Sequence, residues 1–276
     1  MVKYYTRVKL TKEGISISMD NIITAFGMAW GNFLCIPCPI RRWDDRLRNL
    51  MLAFLPVVGL IVGLLWFLLG LIFNALHFPA FLSALLMTVY IYGISGFAHI
   101  RGFGNCSDAI IARGQKKRGA GTSAFSIIAM AVLAVLMFIF LMALMRKTIT
   151  ASRILALIAI PIISRAEAGD SILKFNRRLA AESGSDQSGG SGKFVLISSL
   201  ITGVLLIIVM LGFRNPTAIK AIRPFVFSCI VTLVVSVLAS SLGRNSLREM
   251  SGDAASFSIC LSELLGVLAL VFGTVG

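Results

Sequence analysis

The chain has 276 residues, 57% of them hydrophobic, with a formal net charge of +14 and a mean hydropathy of +0.90. A soluble domain holds roughly 45–50% apolar residues, so this composition excludes an ordinary water-soluble enzyme. The basic balance does not point to nucleic acid either, because aromatic-interleaved basic patches are missing and membrane proteins collect Lys and Arg in the loops of one side.

The opening segment, MVKYYTRVKLTKEGISISMD, is amphiphilic but lacks the apolar core and cleavage site of a signal peptide. Residues 22–40 are apolar yet interrupted by Gly27, Gly31, Pro37 and Pro39. That pattern predicts an interfacial or re-entrant helix closed by a Pro-containing turn, with Trp30 and Trp43 near the lipid headgroups. A membrane span needs roughly 20 apolar residues. The stretches 50–76, 79–98, 123–145, 153–167, 194–213, 224–243 and 257–275 fit, and from Leu50 to Ala98 the only side chain able to carry charge is His77. The fourth stretch is short, and Pro161 is expected to kink or break it. Residues 182–193 read as a Gly/Ser linker. The expected fold is all-α: a polytopic integral membrane bundle of about seven transmembrane helices plus the N-terminal interfacial or re-entrant helix. It forms one membrane-embedded domain over residues 1–276, with 1–49 cytoplasmic or interfacial.

With the N-terminus inside, the segments 1–49, 99–122, 165–193 and 243–256 are cytoplasmic and hold 20 of the 26 Lys and Arg residues. The positive-inside rule supports this orientation, which brings three separated loops to one face. Cys35, Cys38, Cys106, Cys229 and Cys260 are an odd set without a disulfide framework. Cys35-Ile-Pro-Cys38 has no companion pair and no thioredoxin-like pattern around it, so metal or redox work there is not expected. The lack of an internal repeat argues against an inverted-repeat transporter.

The stretch His99-Ile-Arg-Gly-Phe-Gly-Asn-Cys-Ser-Asp108 ends an uninterrupted apolar run. His, Arg, Asn and Asp are costly beside hydrocarbon, which makes this a candidate site facing water or a polar ligand. Asp108 can supply an oxygen ligand to a metal, and Asp253 either joins it or caps the last span. Glu263, alone in an apolar segment, must be paired, protonated or facing a polar cavity. His99 is either a general base or a hydrogen-bonded helix end. Arg101, Arg113, Lys116, Lys117, Arg118 and Arg165 could neutralise phosphate, and the 113–118 cluster could equally meet anionic lipid.

Several segments resemble the cobalamin synthase family, adenosylcobinamide-GDP ribazoletransferase, in the family's order and over nearly the whole chain. Trp30-Gly-Asn-Phe-Leu-Cys-Ile-Pro-Cys-Pro39 resembles an early FLTR-x-PVP segment, and Phe54-Leu-Pro-Val-Val-Gly-Leu-Ile-Val-Gly63 an FPLVG helix. Ile163-Ser-Arg165 matches a central Ser-Arg, and Ser251-Gly-Asp253 with Leu261-Ser-Glu-Leu264 is similar to a TGD…ELSE ending. Against an acidic signature of approximately H-x-D-G-x-x-D-x-x-D, His99, Gly102 and Asp108 stand in place, while Arg101 and Asn105 occupy the two other Asp positions. The following RIGxFG block is represented only by Gly119-Ala-Gly-Thr-Ser-Ala-Phe125.

The resemblance implies a Mg²⁺-dependent transferase of the cytoplasmic membrane, its active face cytoplasmic. α-Ribazole or its 5′-phosphate would attack the phosphoanhydride of adenosylcobinamide-GDP, releasing GMP and giving adenosylcobalamin or its phosphate. It implies catalytic roles for His99, Asp108 and Arg165, and metal ligation by Asp108, Asp253 and Glu263. Phosphate contacts would come from Arg101, Asn105, Arg113, Lys116, Lys117 and Arg118. The partners implied are these two substrates, the lipid bilayer and other corrinoid-pathway enzymes, with no nucleic acid. Because Arg101 and Asn105 replace acids, the competing reading is a catalytically impaired paralogue that acts as a corrinoid-binding membrane subunit.

Overall fold

The computed structural model of the chain describes residues 19–40, 42–112, 123–146, 151–182, 217–247 and 252–273. Among them every regular element is helical. The order is α1 (Met19–Phe33), a short 3-10 turn at Asp45–Leu47, α2 (Arg48–Ala53), α3 (Leu55–Ala75), α4 (Ala80–Gly93), α5 (Ala98–Ile111), α6 (Ala124–Met145), α7 (Ala151–Glu182), α8 (Thr217–Leu247) and α9 (Gly252–Phe272). Helices are the expected solution in lipid, where every backbone N–H and C=O must be satisfied within its own segment.

α3, α6, the Arg223–Leu247 part of α8, and α9 are each long and apolar enough to cross a membrane. α4 and α5 make a further span if taken together, although they meet at 77°. The chain is a multi-pass membrane protein. The described residues thus hold four or five candidate spans, and the expected span at 194–213, like most of the 182–193 linker, lies outside them. α1 has 15 residues and rises about 22 Å, short of the ~30 Å hydrocarbon core. Residues 34–40 fold back along it: Trp30 Nε1 donates to the Ile36 carbonyl at 3.0 Å, and a Cβ on Gly27 would lie 2.7 Å from Ile40.

Three expectations are corrected. The 79–98 stretch is not one straight span: α4 ends at Gly93, and the chain turns through left-handed backbone at Gly96 and Phe97, each with φ +60°, before α5 begins. The polar stretch after it is helical and not a loop, because its glycines serve close packing and not chain reversal. Nor does Pro161 break its helix. α7 runs through it for 32 residues, with residues 156–166 all buried. α3 lies directly against this segment: a Cβ on Gly59 would overlap the Pro161 carbonyl, and one on Gly63 would lie 2.6 Å from that of Ile158. Small residues four apart let two helix backbones approach, a contact that dispersion stabilises in lipid.

α7 and α9 form the centre of the bundle, antiparallel to each other, with α3, α5 and α8 packed around them. α8 and α9 are joined by hydroxyls: Ser228 Oγ donates to the Gly266 carbonyl at 2.8 Å and Ser258 Oγ to that of Ser236 at 2.9 Å. Glu167 extends the seam to α7, accepting from Ser171 and Ser240, each at 2.6 Å. The end of α5, the starts of α6 and α9 and the end of α8 come together at one end of the bundle. Asp108 meets Ser123, and a Cβ on Gly243 would touch Ala254 and Cys106.

Candidate functional site

α5 is amphipathic in a way that sorts its polar residues. His99, Gly102, Phe103 and Cys106 are buried, Arg101 and Asn105 are exposed, and Asp108 is half-buried. Arg101, Asn105 and Asp108 follow at intervals of four and three, so they share one face. On α9 the same spacing aligns Asp253, Ser256, Cys260 and Glu263 in a stripe that starts at the helix end and descends into the bundle.

The two helices meet along these residues. Asn105 Nδ2 donates to Asp253 Oδ2 at 3.3 Å, and His99 Nδ1 lies 3.4 Å from Ser256 Oγ. Phe103 and Phe257 stack at 5.2 Å beside them. Gly102 makes the approach feasible. A Cβ there would lie 2.7 Å from Ser256 Oγ and 3.1 Å from Asp253 Oδ1, so any other residue drives the start of α9 away. Phe33 of α1 stacks on the His99 ring at 6.5 Å, and His99 Nε2 is buried with no hydrogen-bond partner among the described residues.

Asp108 closes the opposite end of the α5 stripe. Its Oδ1 accepts from Ser123 Oγ at 2.5 Å, and the same Ser123 oxygen caps α6 by accepting from the Ser126 N–H at 3.1 Å. One hydroxyl therefore fixes the end of α5 to the start of α6.

Deeper in the stripe, Glu263 forms an ion pair with Arg165 of α7, the two side chains 3% and 2% exposed. Ser164 Oγ adds a hydrogen bond to the same carboxylate at 3.1 Å. The expectation that Glu263 ligates a metal beside Asp253 and Asp108 is corrected here. Asp253 and Glu263 are ten residues apart on one continuous helix, about 15 Å along its axis, and cannot share an ion. Among the described residues no three His, Cys, Asp or Glu side chains converge as a metal site. What Glu263 neutralises is a guanidinium.

Of the three residues expected to be catalytic, His99 and Arg165 both lie against the α9 stripe, at Ser256 and Glu263, about two helical turns apart. Asp108 lies nine residues beyond His99 on α5, about 13 Å away along the axis. Arg101 and Asn105 share the Asp108 face. Arg113, Lys116, Lys117 and Arg118 lie outside the described residues. Sequence reasoning gave no role to Ser256, Ser123 or Ser164, although the last stood in the Ser-Arg match, and only the three-four spacing of Asp253, Ser256, Cys260 and Glu263 could have marked the first of them.

Chemically, Asp253, Asp108 and the Asn105 carbonyl offer oxygen donors around one face of α5. Hard cations carried with phosphate take such donors, one or two carboxylates with the rest of the shell supplied by phosphate and water. Their residue types therefore fit a magnesium ion, without the third carboxylate that Glu263 was expected to add.

Known proteins give the family. The cobalamin-5-phosphate synthase family matches residues 25–271. An adenosylcobinamide-GDP ribazoletransferase of Clostridium perfringens (strain 13) is 29% identical over 255 residues, 89% of this chain and 96% of its own. That of Clostridium botulinum (strain Alaska E43) is 27% identical over 264 residues, covering 91% and 98%. A third, from Lachnoclostridium phytofermentans, is 25% identical over 258 residues, covering 90% and 94%. No solved structure matches the chain significantly. With its fold, its helix-end polar cluster and a family match spanning almost its full length, the chain belongs to the cobalamin-5-phosphate synthase family.

Proposed function

We propose that this protein transfers α-ribazole, or its 5′-phosphate, onto adenosylcobinamide-GDP. A ribose hydroxyl of the ribazole attacks the phosphorus that bears the cobinamide. The bond from that phosphorus to the bridging anhydride oxygen breaks, GMP leaves with the oxygen, and adenosylcobalamin or its 5′-phosphate is formed. The observation that carries the reading is the α5–α9 contact, where Asn105 donates to Asp253 on the helix face that also carries Arg101 and Asp108, in a chain whose relatives bear this activity's name.

Such a reaction needs a diphosphate held in place and its developing charge stabilised, which preorganised cations and donors supply. Arg101 is suited to grip the diphosphate directly, as a guanidinium matches phosphate oxygens in a bidentate fork. His99 is the imidazole of the site and takes the proton of the attacking hydroxyl. Arg165, buried and neutralised by Glu263, braces the inner end of the α9 stripe and does not meet the diphosphate. Asp108, Asp253 and the Asn105 carbonyl would hold Mg²⁺, which when bound supplies Lewis-acid stabilisation of the diphosphate. The site faces the cytoplasm, since 20 of the 26 basic residues fall in segments on that side.

Purified full-length protein in lipid, given adenosylcobinamide-GDP, Mg²⁺ and α-ribazole or its 5′-phosphate, is expected to release GMP in step with formation of a complete corrinoid. No release beside an active relative under the same conditions overturns the assignment.

A further inference from the structure

We propose that Ser256 is a positioning residue for His99, fixing the imidazole so that Nε2 is the nitrogen offered to substrate. This rests on the catalytic role given to His99 above and assigns a residue that the sequence alone did not single out.

The imidazole is held on two sides. Phe33 covers a ring face at 6.5 Å and Ser256 Oγ meets Nδ1 at 3.4 Å, and the residue is 7% exposed. Nε2 is buried and has no hydrogen-bond partner among the described residues. A neutral imidazole carries its proton on one nitrogen, and the bond made by the other decides which. With Nδ1 committed to Ser256, Nε2 alone remains to exchange a hydrogen bond with an incoming group.

The placement of Ser256 is specific. It lies one helical turn beyond Asp253, on the same stripe of α9, so the residue that orients the imidazole and the carboxylate on Asn105 move together. Gly102 is the counterpart on α5, because a Cβ there would collide with Ser256 at 2.7 Å while crowding Asp253 at 3.1 Å. Partners that orient a metal-bound imidazole contribute about 10- to 100-fold, and an effect of that order is expected for a catalytic one.

The chain contains two histidines, which makes a direct test practicable. Full-length protein labelled with ¹⁵N in the imidazole rings is reconstituted in lipid, and His77→Asn assigns the His99 signals by elimination. Wild-type His99 is expected to show the separated ring-nitrogen shifts of a single neutral tautomer. Ser256→Ala is expected to move them toward the tautomeric average and to lower kcat about 10- to 100-fold with little change in KM, and Ser256→Thr to restore both. Ser256→Cys, which keeps the side-chain volume, serves if the alanine variant does not fold. Unchanged nitrogen shifts in the Ala or Cys variant overturn the proposal, as does a shifted tautomer with unaltered kcat. If the wild type turns over no substrate while the tautomer still depends on Ser256, the positioning stands and the enzymatic reading falls.

Discussion

Glu263→Gln is the perturbation whose cost follows most directly from the structure. The carboxylate is buried against Arg165, with side-chain exposures of 3% and 2%, and Ser164 is hydrogen-bonded to the same oxygen. Gln keeps the shape and can still accept from Ser164, but it leaves a guanidinium charge buried without its counter-ion. Removing one partner of a buried pair costs about 3–5 kcal/mol, whereas replacing both by apolar residues of similar volume is often neutral or better. Glu263→Gln should therefore lose about 3–5 kcal/mol of unfolding free energy, and Arg165→Met with Glu263→Met should recover most of it. The assay is reversible denaturation in mixed micelles followed by tryptophan fluorescence, Trp66 being fully buried on α3 against the α7 side of the bundle. Per folded molecule, the Mg²⁺ concentration needed for half-maximal activity should be the same in Glu263→Gln as in wild type. A loss below about 1 kcal/mol, or a double variant whose loss equals the sum of the singles, refutes the pairing. An increased Mg²⁺ requirement would return Glu263 to the metal.

Other substitutions probe the packing and the site. Gly59→Ala places a methyl into the Pro161 carbonyl and should cost about 1–3 kcal/mol as overpacking. Gly31→Ala, whose Cβ would meet nothing nearer than Cys38 at 3.9 Å, should stabilise by about 0.5–1 kcal/mol in the same denaturation assay. Phe97→Gly relieves a left-handed residue with φ +60° whose side chain is 54% exposed, and a gain of about 1 kcal/mol is expected. A loss of that size would show that the ring contributes packing. Gly102→Ala should lower kcat/KM at least about tenfold, since it displaces Ser256 and Asp253 together and small misplacements of reacting groups are costly. Its GMP-release kinetics would show no change if the α5–α9 contact had no role in the reaction.

Much of the architecture was legible because lipid imposes simple rules. Uncharged runs marked α3, α6, α8 and α9, and the distribution of Lys and Arg placed the polar segments on one face, where the structure joins Asp108 to Ser123 and Asn105 to Asp253. The position of Asp108 and Asp253 near span ends was readable for the same reason. The role of Glu263 was not, because its partner lies 98 residues away in sequence and a lone acid in an apolar run looks the same whether it binds a cation or an arginine. Pro161 misled because the rule for an isolated helix ignores its neighbours. Here α3 presents Gly59 and Gly63 to that stretch, and α7 continues through it as one helix in buried surroundings. The G-x-x-x-G spacing in α3 was the available signal for this contact. The bend into α5 escaped notice because Phe97, a residue that ordinarily avoids positive φ, occupies the turn.

The most direct measurement is the rate of GMP release by Asp253→Asn across a Mg²⁺ titration, with folding verified by the unfolding transition. If the oxygens at the α5–α9 contact form the diphosphate site, the variant stays folded, loses about 10²-fold or more in kcat/KM and requires more Mg²⁺ than the wild type. Wild-type turnover and Mg²⁺ dependence in Asp253→Asn would place the chemistry elsewhere in the bundle.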